Sequence, residues 1–390
     1  MLVKAHVLSG IDRISTVAHL LEGKRVGLMT NPTGIDHQLR SSIDIIAERF
    51  NLTALYAVEH GIRGDIQAGA HVETCVDEAT GVTVYSAYGK DAHFNDEMLA
   101  AFDVLIFDIQ DVGARFYTYM YSMAYAMEAC SRSGKSMIVL DRINPLGGVR
   151  TCGTVLDPRF GSFVGNYELP TQYALTIGEV ALYVKDYLKL DLDLTVVPLQ
   201  GWKRSMRLDD TDLPWVAPSP NCATLDAAFA YIGTCIFEGT NLSEGRGTTL
   251  PFQVVGAPFL NGAELEQRMA RHQLPGLHFR RTAFTPTFSK HQGQLCHGVQ
   301  MHVTDRDACN LFEGGMLLLD EIRDMAGDKF EFVFHAFEES GVQMRRYHLD
   351  LLLGSDDYRM GRKTTSQLVE ENLPRIASFN HSAKKYHLYD

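Results

Sequence analysis

The sequence predicts an α/β protein of two domains, the first built on a parallel sheet. Its 390 residues exceed what one hydrophobic core usually supports, and 45% of them are hydrophobic, which is enough for two packed units. The first half repeats a short apolar run, a polar or glycine-containing turn and an amphipathic stretch of helical length. Such alternation favours a parallel sheet that is covered by helices on both faces.

The individual elements follow from these runs. Strands are predicted at residues 25–29, 52–58, 104–107 and 136–140, and helices at 41–50, 96–102 and 116–131. A helix at 176–190 and a strand at 194–197 complete the first domain. The proline-rich segment 213–224 must run as an extended loop. A second region begins near Gly233, with a strand at 299–303 and a helix at 313–325, so the predicted domains are 1–232 and 233–390.

Composition excludes several classes of function. A net charge of -12 would repel a phosphate backbone, and no block of lysine or arginine offsets that repulsion, so we expect no nucleic-acid partner. Seven scattered cysteines include no Cys-x-x-Cys pair and are typical of buried thiols in a reducing compartment.

The start of the chain lacks the features of a signal peptide, and no apolar run is long enough to span a bilayer. We therefore expect a cytoplasmic protein without a membrane partner, although a secreted form trimmed of its signal would look the same. The sequence sets no oligomeric state.

Common cofactor and hydrolase motifs are missing from the sequence. No Gly-x-Gly-x-x-Gly follows the first predicted strand, which disfavours a dinucleotide, and Gly134-Lys135-Ser136 precedes a strand where a phosphate-binding loop needs a helix. There is no Gly-x-Ser-x-Gly elbow and no His-Glu-x-x-His zinc motif. We expect neither a cofactor nor a metal ion.

Carboxylate-bearing turns follow three of the predicted strands. Since the carboxyl ends of parallel strands share one edge of the sheet, these turns should lie together. The first turn reads EHGIRGD and contains Glu59, His60 and Arg63. A glutamate here suits a general acid, because burial or a nearby carboxylate would raise its pKa as protonation of a glycosidic oxygen requires. The alternative is that Glu59 caps the following loop and pairs with Arg63.

The second turn, DIQDVGARFYTY, is the densest in functional groups. It contains Asp108, Gln110, Asp111, Arg115 and Tyr117, the mixture of acids, amides and aromatic faces from which carbohydrate sites are commonly built. The alternative is structural: Asp111 would cap the following helix and Arg115 would pair with it.

The third turn, DRINPLGG, offers Asn144 as a partner for sugar hydroxyls or an acetamido group, while Asp141 and Arg142 could form an ion pair that only fixes the loop. Glu179 completes a helix capping box rather than a site.

A second polar cluster lies beyond the first domain, in the motif SPN and the run EGTNLSEGRGTT. A run so rich in glycine and hydrogen-bonding side chains cannot pack as core; it is either a ligand-binding loop, which we favour, or a solvated connection. The candidate binding residues here are Asn221, Glu238, Asn241, Glu244 and Arg246.

Together these segments resemble the exo-β-N-acetylmuramidase (NamZ-type) glycoside hydrolases. The matching motifs run in order from residue 23 to residue 307: GKRVGLMTNPTG, VEHGIRGDIQAG, FDIQDVGARFYTYMYSMAYAMEA, VLDRINPLGG, SFVGNYELP, LTIGE, PSPN, FEGTNLSEGRGTTLPF and FTPTFSKHQGQLCHGVQMHVTDRD. The resemblance implies a Rossmann-like catalytic domain, a smaller C-terminal α+β auxiliary domain that closes the cleft, and no cofactor. It also implies that Glu59, in the Glu-His-Gly-x-Arg-Gly motif, is the catalytic glutamate.

The resulting hypothesis is an exo-acting hydrolase that removes N-acetylmuramic acid (MurNAc) from a muropeptide or other MurNAc-containing saccharide. Glu59 would be the general acid, Asp108 or Asp111 the second carboxylate, and Arg115 or Arg246 the partner of the lactyl carboxylate, since a guanidinium binds a carboxylate in bidentate fashion. The substrate's own acetamido group could also be the nucleophile. Rival hypotheses are a non-catalytic muropeptide-binding protein and an esterase, amidase or phosphatase acting on related cell-wall metabolites.

Overall fold

The computed structural model describes residues 4–62, 74–87, 93–339 and 342–390. The strands, in chain order, are β1 Val26–Thr30, β2 Leu52–Ala57, β3 Cys75–Val76, β4 Thr83–Ser86, β5 Val104–Asp108, β6 Ser136–Leu140, β7 Cys152–Val155, β8 Pro170–Gln172, β9 Leu194–Val197, β10 Val254–Ala257, β11 Leu277–Phe284, β12 Cys296–Val303, β13 Phe334–Glu339 and β14 Val342–Tyr347. The α-helices are α1 Ala18–Leu21, α2 Ser42–Arg49, α3 Asp96–Ala100, α4 Tyr119–Ser133, α5 Ile177–Tyr187, α6 Leu225–Thr234, α7 Gly262–Arg271, α8 Leu311–Ala326, α9 His348–Leu353 and α10 Thr365–Ala383.

A seven-stranded sheet organises the first part of the chain, in the order β3-β4-β2-β1-β5-β6-β9. Its pairs are parallel except for the short β3 beside β4, which confirms the predicted parallel sheet. Strands β1 and β5 are buried throughout, as expected for strands covered on both faces. The chain runs outward from β1 to one edge and from β5 to the other, so the strand order switches direction between β1 and β5. Ligands of open α/β sheets bind at this point.

The helices begin where the local sequence satisfies their first backbone amides. Ser41 caps α2, and Thr176 and Glu179 form a complete capping box at α5. Helix α4 begins at Tyr119 rather than at the predicted residue 116, because the chain still turns at Gly113 with φ of 76° and at Thr118. The apolar stripe of α4 is buried, as its helical spacing predicted.

The later part of the chain builds a second, smaller layer. Strands β10, β12 and β11 form an antiparallel sheet on which α7 packs, and α8 packs against α6. Helix α10 returns to β7, where the Asn372 side chain accepts a hydrogen bond from the Val155 amide at 2.9 Å. The predicted boundary between residues 232 and 233 falls inside α6, because this buried apolar helix continues unbroken to Thr234.

Two further expectations concern cysteines and membranes. Five cysteines are buried, whereas Cys152 is half-buried and Cys75 is exposed. Within the described ranges, no helix combines the length and the apolarity that crossing a bilayer would require.

Candidate active site

The carboxyl ends of the central strands lie in register and bring the predicted turns together. Thr30, the last residue of β1, pairs with Ala57 of β2 on one side and with Asp108 of β5 on the other. Its hydroxyl donates to the Asp108 carbonyl at 2.8 Å. Glu59 follows β2 by two residues, at the same edge of the sheet as the turn after β5.

Glu59 is half-buried. One carboxylate oxygen, Oε2, accepts a hydrogen bond of 2.7 Å from the Thr118 hydroxyl at the start of α4. The next residue, His60, is buried and has a φ of 73°, so the chain turns sharply after the acid. Arg63 lies outside the described residues, as do residues 64–73.

Tyr119 ties this turn to the proline-rich loop. Its hydroxyl donates to the carbonyl oxygen of Pro218 and lies 3.5 Å from the carbonyl oxygen of Glu59. Burial, and secondarily the Glu59 charge, raise the pKa of Tyr119 far above its usual value, so the phenol stays a neutral donor. The loop that carries Asn221 is thereby held beside the acid.

Asp108 is completely buried and bound in an ion pair. Its Oδ1 and Oδ2 accept hydrogen bonds from Nε and Nη2 of Arg142, at 2.6 and 2.8 Å. Arg142 therefore pairs with Asp108 across the sheet, not with its neighbour Asp141 as the alternative interpretation of that turn supposed. Both carboxylate oxygens of Asp108 are occupied by this bidentate contact.

Asp111 has a different environment. Its Oδ1 accepts the Gly113 amide at 2.7 Å and the Tyr173 hydroxyl, while its Oδ2 is buried without a hydrogen-bond partner among the described residues. Burial raises the pKa of Asp111 to about 6, against the opposing effect of those two donors. Asp111 does not cap α4 and does not pair with Arg115, so neither part of the structural alternative holds.

Arg115 is fully buried and is surrounded by backbone carbonyls. Its guanidinium donates to the carbonyls of Leu169 and Leu352 at 2.9 and 2.7 Å and also to that of Thr154. Burial lowers its pKa to about 10. In this position the side chain cannot reach a saccharide in the cleft, contrary to what we expected of a substrate-binding residue.

Of the remaining residues of the first cluster, Asn144 and Tyr117 are buried and Gln110 is half-buried. Gln110 donates to the carbonyls of Asp111 and Ile143 at 2.6 and 2.7 Å and lines a small cavity with Arg142. Asn144 donates to the Leu175 carbonyl at 3.0 Å and accepts the Leu146 amide at 3.0 Å, so it fixes its own turn. The Tyr117 hydroxyl is buried without a hydrogen-bond partner in the part of the chain that the structure describes.

The second cluster gathers around Arg246. Its guanidinium donates to Glu238 and lies 3.3 Å from Glu244, whose other oxygen receives Nζ of Lys290 at 2.9 Å. Two carboxylates are thus balanced by two cations. Burial alone would raise the pKa of Glu238, but the positive charge of the adjacent Arg246 opposes this effect, and the pKa of Glu238 lies below its usual range. About a fifth of the Arg246 side chain is exposed.

The two asparagines of this region differ in their roles. The Asn241 side chain donates to the Lys329 carbonyl at 2.9 Å and accepts a hydrogen bond from the Glu331 amide at 3.1 Å. It therefore has a structural role, tying its own segment to residues 329–331. Asn221 instead lines an open cavity with Thr248 and Thr249.

A chain of aromatic contacts connects the two clusters. Tyr117 meets Tyr231 with ring centroids 5.8 Å apart, Tyr231 meets Phe252 at 4.6 Å, and the Arg246 guanidinium lies 5.0 Å from the centre of the Phe252 ring. These contacts connect Arg246 to Tyr117, in the turn that follows β5.

Several residues around the predicted site could not be identified from the sequence alone. Thr118 and Tyr119 stood in the dense motif, but only the fold shows that they contact Glu59 and the proline-rich loop. Lys290 lies 46 residues from Glu244, so no local spacing could pair them. The strained backbone of the loop around Lys290 has no sequence signal, because it is formed by residues other than glycine.

The described residues contain one group with the geometry of metal ligands, His6, His37 and Asp212. It is exposed, and His6 and Asp212 already form an ion pair at 2.6 Å. It includes none of the predicted site residues.

Comparisons with known proteins agree with this architecture. Two family models match, exo-β-N-acetylmuramidase NamZ, N-terminal, over residues 26–226 and its C-terminal counterpart over 229–389. The peptidoglycan β-N-acetylmuramidase NamZ of Bacillus subtilis is 51% identical over 333 residues, which cover 85% of this chain and 80% of that protein. Two crystal structures of DUF1343 family proteins from Bacteroides fragilis are also similar. They have TM-scores of 0.86 and 0.77 and identities of 35% and 31%, and the matches cover 99% and 98% of this chain and 99% of each of theirs. The chain belongs to the exo-β-N-acetylmuramidase NamZ family.

Proposed function

We propose that this protein is an exo-acting glycoside hydrolase that releases N-acetylmuramic acid from the non-reducing end of peptidoglycan fragments such as MurNAc-GlcNAc. The observation that carries this proposal is the 51% identity to a peptidoglycan β-N-acetylmuramidase across most of both chains. A half-buried glutamate at the switch point of the sheet supports the same conclusion from the geometry. The activity belongs to cell-wall turnover and recycling.

Glu59 is the proposed general acid. Its position after β2 and beside the cleft suits protonation of the glycosidic oxygen as the bond to the leaving sugar breaks. The Thr118 hydroxyl donates to Oε2 of this carboxylate and helps to orient it. The Tyr119 contacts fix the turn and therefore the direction of the acid.

Asp111 is the better candidate for the second carboxylate. Asp108 has both oxygens bound to Arg142, whereas Asp111 has one oxygen that no described residue binds and a pKa raised to about 6 by burial. A carboxyl with such a pKa can exchange a proton near neutral pH, as a residue that orients the acetamido group or activates water must.

Arg246 is the proposed partner of the lactyl carboxylate. It is partly exposed and its Nη1 takes part in none of the hydrogen bonds between described residues, whereas Arg115 is buried against carbonyls. Glu238 and Glu244 are balanced by Arg246 and Lys290, so an incoming carboxylate meets no net negative charge from these four side chains. Recognition of the lactyl group would separate muramic acid from N-acetylglucosamine.

The test is a product analysis with three substrates: MurNAc-GlcNAc, GlcNAc-MurNAc and GlcNAc-GlcNAc. We expect release of MurNAc from the first and no cleavage of the other two, since only the first has muramic acid at the non-reducing end. Tight binding of MurNAc-GlcNAc without any turnover would contradict the proposal and would favour a muropeptide-binding protein instead.

A further inference from the structure

The loop between β11 and β12 has an unusual arrangement of side chains. Thr287 donates through its amide and its hydroxyl to the Gly247 carbonyl, at 2.8 and 2.9 Å. Lys290 reaches inward to the carbonyls of Phe237 and Leu242 at 2.7 and 3.0 Å and to Glu244. His291 contacts the Asn241 carbonyl at 2.7 Å. These side chains are therefore fixed to the segment that carries Arg246.

The backbone of this loop is strained around Lys290. Ser289 and His291 have φ values of 70° and 57°, in the left-handed region that non-glycine residues rarely adopt. The contact with the opposite loop is tight, because a Cβ added at Gly247 would lie 2.6 Å from the Phe288 carbonyl oxygen. The fold thus holds this loop in a conformation that its own residues do not favour.

Phe288 is the exception to this inward anchoring, because 39% of it is exposed. Exposing an apolar ring is unfavourable in water, yet Thr287 and Lys290 anchor the loop on either side of Phe288. The ring borders an open cavity of about 520 Å³ whose other walls include Phe284, Thr248 and Asn221. Aromatic faces beside hydroxyl and amide groups form a suitable binding surface for a sugar ring.

The walls of the cavity belong to two segments that also contact or carry residues of the proposed active site. Its wall at Pro220 and Asn221 follows Pro218 by two and three residues, and the Pro218 carbonyl accepts the Tyr119 hydroxyl that also lies beside Glu59. The opposite wall begins at Gly247, immediately after Arg246. One wall is therefore tied through Tyr119 to the turn of Glu59, and the other is adjacent in sequence to Arg246.

We propose that this cavity binds the sugar on the leaving-group side of the scissile bond and that Phe288 stacks against the face of that sugar. This inference rests on the proposed glycosidase function. It adds a reason for the enzyme to prefer a sugar over a small alcohol as the leaving group. The bound group is the N-acetylhexosamine that the general acid protonates as it departs.

The test compares two substrates that share muramic acid but differ in the leaving group, MurNAc-GlcNAc and methyl β-N-acetylmuramide. For Phe288→Ala, we expect the ratio of kcat/KM for the disaccharide to kcat/KM for the methyl glycoside to fall roughly tenfold, mainly through KM, since one stacked ring is lost. Phe288→Trp should retain the ratio and Phe288→Leu should not, because a leucine supplies apolar area without a flat face.

Phe334→Ala is the matched control, because Phe334 is 48% exposed and is absent from the walls of this cavity. It should change neither kinetic constant, and all variants should melt within about 2 °C of the wild type, as exposed positions usually do. If Phe288→Ala lowers kcat/KM equally for both substrates, or if Phe288→Leu keeps the wild-type ratio, the stacking proposal is wrong while the glycosidase function stands. If the wild-type protein hydrolyses neither substrate, the proposed function itself fails.

Discussion

Asp108 and Asp111 are three residues apart, yet their surroundings give them opposite chemistry. The bidentate contact with Arg142 commits Asp108 to a buried ion pair. Asp111 accepts hydrogen bonds from two neutral donors and pairs with no cation among the described residues, so burial raises its pKa to about 6. From the sequence alone, both residues are candidates for the second carboxylate, because nothing local to the motif reveals that Arg142 pairs with Asp108.

Replacement of each aspartate by asparagine should separate these roles. Asp108→Asn leaves Arg142 buried without its counter-charge, so we expect the free energy of unfolding to fall by roughly 3–5 kcal/mol. Asp111→Asn keeps an oxygen for the Gly113 and Tyr173 donors and should cost only about 1 kcal/mol. It should lower kcat/KM for MurNAc-GlcNAc by about 100-fold or more if Asp111 supplies the second carboxyl.

Urea unfolding and steady-state kinetics on both variants provide the measurement. An Asp111→Asn enzyme with nearly wild-type kcat/KM would exclude Asp111 from the reaction. It would leave the acetamido group of the substrate as the more attractive nucleophile.

At the level of elements, most of the first domain could be predicted from the sequence. The apolar runs that form β1, β2, β5, β6 and β9 are short and bounded by polar turns. Burial on both faces makes β1 and β5 uniformly apolar up to their last residues. The capping box at α5 was equally visible, because its partners are three residues apart. Contacts between distant segments could not be predicted, since they depend on how the elements pack.

The segment after α10 provides an example. Tyr389 donates its hydroxyl to Asp141, 248 residues away, and the Leu388 amide donates to Glu179 at 2.9 Å. Asp141 also accepts the hydroxyl of Thr176 and the Gly178 amide, at 2.8 and 2.7 Å. Burial raises the pKa of Asp141 to about 7, against the opposing effect of these donors. The turn after β6 is therefore completed by the last residues of the sequence.

The raised pKa of Asp141 predicts a pH dependence of stability. Between about pH 4 and pH 7 the folded protein holds a proton on this group that the unfolded chain has lost. The contribution of Asp141 to stability is therefore largest at low pH, falls as the pH rises through this window, and is constant above it. Asp141→Asn mimics the protonated form, so its stability relative to the wild type should rise by roughly 2–4 kcal/mol between pH 4 and pH 8.

Denaturant unfolding of both proteins at the two pH values measures this difference. A relative stability that does not change with pH would mean that Asp141 titrates normally in the folded protein. The low-pH comparison is the internal control, because there both side chains are neutral and differ only in hydrogen bonding.

At the scale of the whole molecule, Arg115 joins the two parts of the chain. Its guanidinium binds the carbonyl of Leu169 beside the β7–β8 ribbon and that of Leu352 in α9, so one buried side chain fixes α9 to the first part of the chain. The sequence identified Arg115 through its motif but assigned it to the substrate. Charge and location in a motif do not distinguish a ligand-binding arginine from one that satisfies buried carbonyls.

Replacing Arg115 should therefore weaken the fold rather than the affinity for substrate. Arg115→Met leaves several buried carbonyls without a donor, and we expect a loss of roughly 3 kcal/mol or more in unfolding free energy. KM for MurNAc-GlcNAc, measured on the folded fraction, should change less than about twofold, because KM reports contacts with the substrate. Arg159→Met, which removes an arginine whose side chain is 82% exposed, should leave the unfolding free energy nearly unchanged. A large rise in KM with unchanged stability would show instead that Arg115 binds the saccharide.

The most direct test of the central claim is the turnover of MurNAc-GlcNAc by Glu59→Gln. Glutamine keeps an oxygen that can accept the Thr118 hydroxyl, so the turn and the melting temperature should be retained, while the proton donor is lost. We predict a fall in kcat of about 100-fold or more with the dissociation constant of the disaccharide nearly unchanged. A Glu59→Gln protein that still releases N-acetylmuramic acid at close to the wild-type rate would contradict the assignment of Glu59 as the general acid.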